Sequence, residues 1–320
     1  MKDHMVDANF PKTADGRVYH LGTGSGDFAN RIITVGSHPR ARLLASFLNK
    51  NPAPLVIESE RGFLTITGWY TPRVHPDEDG PPPSPTRLSI ISIGMGFPNM
   101  DFFVREAREC LPPSSDMLVV RFGSCGGIAT TTSSSKGMGT GIGVGTVVVP
   151  ASCVSIVRNV DYYGFGGEGG EDEVPYWISR PVQGDAGLRE AVLEALEEDA
   201  SPGGEPRAVV GTKINAAADG FYASQGRATG WPDANEGILA ELERRGVESL
   251  EMETHQLFHL ARAWNSAKGV QGKIRVAAAQ MVFADRQTRA FIAPNDVKQK
   301  EAWAGRVLLD VMARFEVEEE

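Results

Sequence analysis

Cysteine is scarce. The 320 residues hold three, Cys110, Cys125 and Cys153. None forms a CxxC pair, and an odd count argues against a disulfide framework. That usage points to a reducing, cytoplasmic compartment. Long apolar runs are missing too. No stretch of 18 apolar residues exists, so no membrane-spanning helix is expected. The opening residues MKDHMVDANFPK hold no apolar core of a secretory signal, and none is expected. Positive charge is in deficit. Lys and Arg total 32 against 41 Asp and Glu, a net charge of −9, which argues against nonspecific nucleic-acid binding. Internal repeats and clear linkers are absent as well, so one domain is expected at this length.

What is present is an alternation of apolar strands and amphipathic helices, which argues for an α/β fold. Strands are expected at Arg31–Val35, Leu55–Glu58, Phe63–Tyr70, Leu88–Ile93, Met117–Phe122, Gly145–Pro150, Ala208–Ile214, Val247–Leu250 and Ile274–Phe283. Helices are expected at Ala41–Leu48, with Pro39 in its first turn, and at Met100–Cys110, Asp185–Glu198, Asn235–Arg245 and Asn295–Phe315. Ala217–Arg227 reads as a loop. Pro-rich residues 71–86 and Ser/Thr/Gly-rich residues 129–143 read as mobile insertions, and 162–173 as a Gly/acid loop. Several glycine-rich turns follow the C-terminal ends of strands, where open α/β sheets place ligands.

Glu251, Met252 and Glu253 stand where a buried strand hands over to a helix. Buried carboxylates are costly unless donors meet them. A sugar diol would supply such donors, and a thioether can lie against the apolar face of the ring. The bland alternative places one Glu on the helix dipole and the other in solvent. Three arginines adjoin glycines at strand ends: Arg40 in GSHPR, Arg61 in ERGF and Arg121 in RFGSCGG. Their planar forks suit phosphate, and Ser124 adds a hydroxyl. A lone arginine of this kind is ordinarily a surface ion pair. Arg121 resists that reading because it interrupts an apolar strand. Phe221, Gln225 and Arg227 share one loop and offer a ring face, an amide and a cation, complementary to the edge of uracil. Taken alone, they are also compatible with an ordinary turn. The GTGSG run at 22–26 follows no strand and lacks GxGxxG spacing, so it is discounted as a dinucleotide loop. His255 and His259 lie one helical turn apart, but Gln256 stands where a zinc protease needs Glu, and they read as core or solvated histidines.

Together these motifs resemble the nucleoside phosphorylase-I family and, within it, its uridine-cleaving members, over Tyr19 to about Arg286. The resemblance implies a single-domain fold over 19–320, a central mixed twisted sheet flanked by helices, with 1–18 as a flexible N-terminal segment. It implies reversible phosphorolysis of uridine to uracil and ribose 1-phosphate in pyrimidine salvage, with no cofactor. Gly36, Arg40, Arg61, Arg121 and Ser124 fall on the family's phosphate positions, with Ser124 where Thr is common. His20, Glu251, Met252 and Glu253 fall on ribose positions. Phe221, Gln225 and Arg227 fall on the uracil loop FxxxQxR, with Gly126 at the base. Gln225, Arg227, Glu253 and Arg286 are the expected catalytic set. His20 and Arg61 resemble residues given to a neighbouring subunit, so a homodimer at least is implied. The acidic residue that commonly follows the Arg61 position and helps hold a monovalent cation is Gly62 here, which leaves a metal site open. The long loops are more like those of protozoan and other eukaryotic members. Near the end of the last strand two alignments compete. One puts Arg286 behind the uracil loop; the other puts Asp285 on the acid that purine phosphorylases use at N7. The pyrimidine-like loop favours Arg286. The rival readings are a purine nucleoside phosphorylase, a nucleosidase of the same fold, and a non-catalytic nucleoside-binding protein.

Overall fold

Residue alternation along the strands decides which layer each helix covers. A computed structural model describes residues 5–74, 83–128, 142–163, 174–199 and 208–317. The centres of the expected insertions at 71–86 and 129–143, most of 162–173, and the first four residues of the N-terminal segment lie outside the described residues. In chain order the strands are β1 (Met5–Val6), β2 (Lys12–Thr13), β3 (Arg31–Val35), β4 (Leu55–Glu58), β5 (Leu64–Tyr70), β6 (Thr86–Ser92) and β7 (Met117–Gly127). There follow β8 (Val147–Val148), β9 (Ser152–Arg158), β10 (Tyr176–Ile178), β11 (Val182–Gln183), β12 (Val209–Val210), β13 (Ile214–Ala218), β14 (Val247–Glu251) and β15 (Ile274–Asp285). The helices are α1 (His38–Ala45), α2 (Phe97–Glu109), α3 (Ala186–Glu198), α4 (Ile238–Arg244), α5 (Thr254–Ser266) and α6 (Pro294–Arg314).

The main sheet runs β10-β9-β13-β14-β7-β3-β6-β5-β4, with β15 along β7. It is mixed: β3 is parallel to β6 and β7, whereas β5 is antiparallel to β4 and β6. Strand β7 is the hinge of the arrangement. β15 follows one edge of it from Met117 to Gly127. On the other edge β3 pairs as far as Phe122, and β14 takes over at Gly126 and Gly127 in the opposite direction. The sheet therefore forks beyond Phe122. Such a switch point opens a crevice at the strand ends.

Side chains alternate across β7. Leu118, Val120 and Phe122 join the core under α1, α3 and α6, with Leu44, Leu188 and Leu308. Met117 and Val119 face the other core, with Phe103 of α2 and Phe258 of α5. Burying each of those phenylalanines contributes roughly 1.5–3 kcal/mol. The same alternation puts Arg121 on the α2/α5 side. Strands buried on both faces read as unbroken apolar runs, which is why β3, β7 and β15 were visible in the sequence.

Three expectations shift. The strand read as Met117–Phe122 continues through its glycines to Gly127, because β14 and β15 both bond to that stretch. A Cβ at Gly127 would sit 2.9 Å from the Ile142 carbonyl oxygen, so the close approach there needs glycine. The strand read as Ala208–Ile214 splits: β12 pairs with β8, while β13 inserts between β9 and β14. Ala217 and Ala218, read as loop, belong to β13. The long helices start and stop within a few residues of expectation. Asp185 caps α3, its carboxylate accepting from the Leu188 N–H at 2.8 Å.

Candidate active site

The crevice at the fork holds a cavity of about 250 Å³. Among the segments that line it are Gly36 before α1 and Arg40 in its first turn, the β7 run Arg121 to Gly126, the loop with Phe221, Gln225 and Arg227, and the β14–α5 junction Glu251 to Glu253. Residues from 36 to 253 thus meet at one place. Larger cavities elsewhere, such as the one of about 1300 Å³ between the N-terminal hairpin and Trp264, gather no comparable set.

Arg121 is the deepest charged group, 3% exposed. Its Nη2 donates to Glu253 Oε2 at 2.8 Å. Its Nε and Nη1 are buried without a partner among the described residues. Two unsatisfied donors on one fork are expensive unless an acceptor arrives. An oxyanion is the acceptor whose geometry fits a guanidinium edge. Glycine keeps the space beside it: a Cβ at Gly123 would lie 3.6 Å from Nε, and one at Gly36 3.6 Å from Nη2. Arg40, in the first turn of α1, is also buried. Its Nε donates to Glu301 Oε1 at 2.7 Å, and its Nη1 to the Phe122 carbonyl at 3.3 Å. Burial lowers its proton affinity most, Glu301 offsets part of that, and the charge of Arg121 adds a smaller lowering.

The two carboxylates of the β14–α5 junction divide the work. Glu251 accepts from the Glu253 and Thr254 N–H groups at 2.8 and 3.0 Å and from Asn215 Nδ2 at 2.9 Å. From the end of β14 it thus meets the first N–H groups of α5, whose N-cap position is held by Glu253; the bland reading with one Glu in solvent does not hold, since both are buried. Burial, then the charge of Glu253, push its carboxyl up to about 7. Glu253 lies nearer the anion pocket. Its Oε1 accepts from the Gly96 N–H at 2.6 Å and its Oε2 from Arg121. Met252 lines the cavity between them.

On the opposite side, Arg227 lies over the Phe221 ring, 4.0 Å to the centroid, and its Nε donates to the Phe221 carbonyl at 3.0 Å. Gln225 is 3% exposed. Behind them Arg286 Nη2 donates to the Gln225 carbonyl at 2.9 Å. Its stem crosses Gly126, where a Cβ would come within 3.1 Å. Burial, then the charge of Arg227, lower the Arg286 guanidinium to about 10. Asp285 turns elsewhere: its carboxylate accepts from the Gln287 and Thr288 N–H groups at 2.9 and 3.1 Å, and neither it nor Arg286 lines the cavity. Of the two residues in the competing alignments, Arg286 is the one that bonds to the loop.

Three expected residues do not line the cavity: Arg286, which sits behind the loop, His20 and Arg61. His20 stacks on Phe102 at 3.8 Å and its Nδ1 meets Glu106 Oε1 at 2.6 Å. Arg61 lies over the Tyr19 ring, 4.7 Å to the centroid, and donates to the Tyr19 hydroxyl. His255 and His259 stack with 5.9 Å between centroids, and burial lowers His255 to about 4. Among the described residues no group of three or more His, Cys, Asp or Glu could hold a metal ion.

Some lining residues were not singled out beforehand: Met95, Cys125, Phe283 and Phe291. Met95 and Phe291 are 70% and 71% exposed. The Gly94-Met95-Gly96 turn was the one usable signal, since positive φ at both glycines aims a backbone N–H at Glu253.

Comparison with known proteins gives the same outline. The model of the phosphorylase superfamily matches residues 30–315. A structure from an analysis of two diverse uridine phosphorylases of the oomycete Phytophthora capsici superposes with a TM-score of 0.81 at 30% identity, covering 98% of this chain and 100% of that one. A Trypanosoma brucei nucleoside phosphorylase, described as showing uridine phosphorylase activity, superposes at 0.72 with 18% identity over 95% and 99% of the two chains, a likeness of fold. Among curated sequences, the DeoD-type purine nucleoside phosphorylase of Hahella chejuensis is 28% identical over 244 residues, 76% of this chain and 79% of that protein.

Proposed function

The chain belongs to the phosphorylase superfamily, and from that membership we propose that it cleaves uridine with phosphate, releasing uracil and ribose 1-phosphate. It is an enzyme of the pentosyltransferase class. The observation that carries the phosphate part is Arg121, with two buried donors left open beside a glycine-cleared space. The pyrimidine part rests on the loop of Phe221, Gln225 and Arg227, braced by Arg286.

In this reading phosphate is held by Arg40, Arg121 and Ser124 below C1′ of the ribose. Glu253 and Met252 hold the sugar. A phosphate oxygen forms the new bond to C1′ as the C1′–N1 bond breaks. The bonding pair leaves with uracil and spreads onto its carbonyl oxygens, where Gln225 and Arg227 donate hydrogen bonds. Donors fixed where charge develops are the largest single source of catalysis in such sites. Holding both reactants in line supplies the rest. Phosphate is itself the nucleophile, so no serine or cysteine nucleophile is required.

The DeoD-type relatives favour a second reading, a purine substrate. It would need a carboxyl at the base, and Asp285 is occupied by its own turn. Turnover of uridine, thymidine and inosine side by side, with and without phosphate, tests both. Phosphate-dependent cleavage of uridine, at least about 10²-fold faster than that of inosine, is expected from a site built around the bonds of one base. Inosine as the better substrate would sink the uridine reading, and cleavage without phosphate would make the enzyme a nucleosidase.

A further inference from the structure

The closing helix carries a carboxylate that the reading above does not use. Glu301 of α6 reaches Arg40, and both side chains are largely buried, 14% and 7% exposed. Arg40 lines the cavity, and its two hydrogen bonds use Nε and Nη1, which leaves Nη2 as the remaining edge. The guanidinium also lies 5.4 and 5.9 Å from the centroids of the Phe122 and Phe283 rings. An arginine side chain has many rotamers, and a fork helps an anion only when one of its edges is already aimed. Arg40 also stands close enough to Arg121 for their charges to oppose each other.

We propose that Glu301 is a positioning residue for the anion: by gripping Nε it holds Arg40 beside Arg121 with Nη2 turned to the cavity. The inference rests on reading that cavity as the phosphate site. Glu301 need not touch either substrate. It also ties α6 to the β3–α1 turn, so the last helix of the chain sets the geometry of a residue near its start.

The test is steady-state kinetics on the full chain, with phosphate and uridine varied separately. Glu301→Ala frees Nε and is expected to raise the KM for phosphate about tenfold, the usual effect of losing one hydrogen bond to a charged group. The KM for uridine should stay within about twofold, since Glu301 lies on the anion side. Glu301→Gln keeps an oxygen that accepts from Nε, so it should stay within about threefold of the parent for phosphate. If Glu301→Ala does not fold, Glu301→Asp, one methylene short of Arg40, replaces it with the same expectation. An unchanged phosphate KM would overturn the proposal. So would equal rises in both KM values, the mark of general disruption. A Gln variant as impaired as the Ala variant would assign the effect to charge and overturn positioning. If the parent shows no phosphate dependence at all, phosphorolysis itself fails, an outcome distinct from any of these.

Discussion

Removing the Arg121 guanidinium strands Glu253, whose Oε2 it holds at 2.8 Å in a site where both side chains are about 5% exposed. Breaking a buried pair from one side costs roughly 3–5 kcal/mol of stability, more than the pair contributes net. The anion also loses two donors, which should cost on the order of 2–4 kcal/mol in the transition state. Arg121→Ala should therefore lose both stability and turnover. The double variant Arg121→Ala/Glu253→Gln separates the two effects, because it removes the stranded charge as well. Urea unfolding should recover much of the loss in the double variant, while phosphate turnover should not recover. A double variant no more stable than Arg121→Ala would show that Glu253 is not the source of the cost. Arg121 was legible because a charge inside an apolar strand has few innocent explanations. Glu301 was not, since its partner lies 261 positions away and nothing in α6 distinguishes it from any helix carboxylate.

At the scale of elements, α5 carries a pH dependence that can be isolated. His255 sits one residue inside the helix, with His259 stacked on it, and burial, then the charge of His259, hold it down to about 4 from 6.5. The unfolded chain binds a proton there near 6.5 and the folded one only near 4. The unfolded state thus binds more protons between those values, and stability rises with pH across that window. The contribution is complete above 6.5 and lost as pH falls toward 4. Glu251 acts with the opposite sign. Its folded value near 7 lies above 4.5, so it contributes a decline in stability from 4.5 to 7. Comparing wild type with His255→Gln cancels that decline, which both proteins share. The difference in unfolding free energy should grow from pH 4 to 6.5, and a flat difference would refute the assignment. The handover from an apolar strand to a helix marked β14 and α5 in the sequence, but not that the Glu251 carboxylate meets the first N–H groups of the helix. Nor could it show the fork of β7, because pairing of Gly126 and Gly127 with β14 depends on a strand more than 120 residues later.

For the whole molecule, the question is what His20 and Arg61 serve. They sit together, Tyr19 meeting the His20 ring edge-on at 4.9 Å and Arg61 by its guanidinium. Neither lines the cavity of its own chain. The cavity mouth meanwhile exposes Met95 and Phe291. The resemblance drawn from the sequence implies that His20 and Arg61 complete the site of a second copy, and mixed dimers test that. In an isologous pair each chain then gives one cluster and receives one. Arg61→Ala alone should be inactive at both sites of its homodimer, and so should Arg227→Ala. A mixed dimer differs. One of its sites combines the cavity of the Arg61→Ala chain, with Arg227 intact, and the Arg61 of its partner, so it lacks nothing; the other site lacks both groups. After dissociation and random reassociation of equal amounts, half the dimers are mixed and half their sites are whole, so about a quarter of wild-type activity should return. The measurement is phosphate-dependent uridine cleavage before and after mixing, with sedimentation to establish the exchange of subunits. Exchange without recovery would mean that Arg61 does not act across an interface. Full specific activity in a sedimenting monomer would remove the need for a second copy altogether.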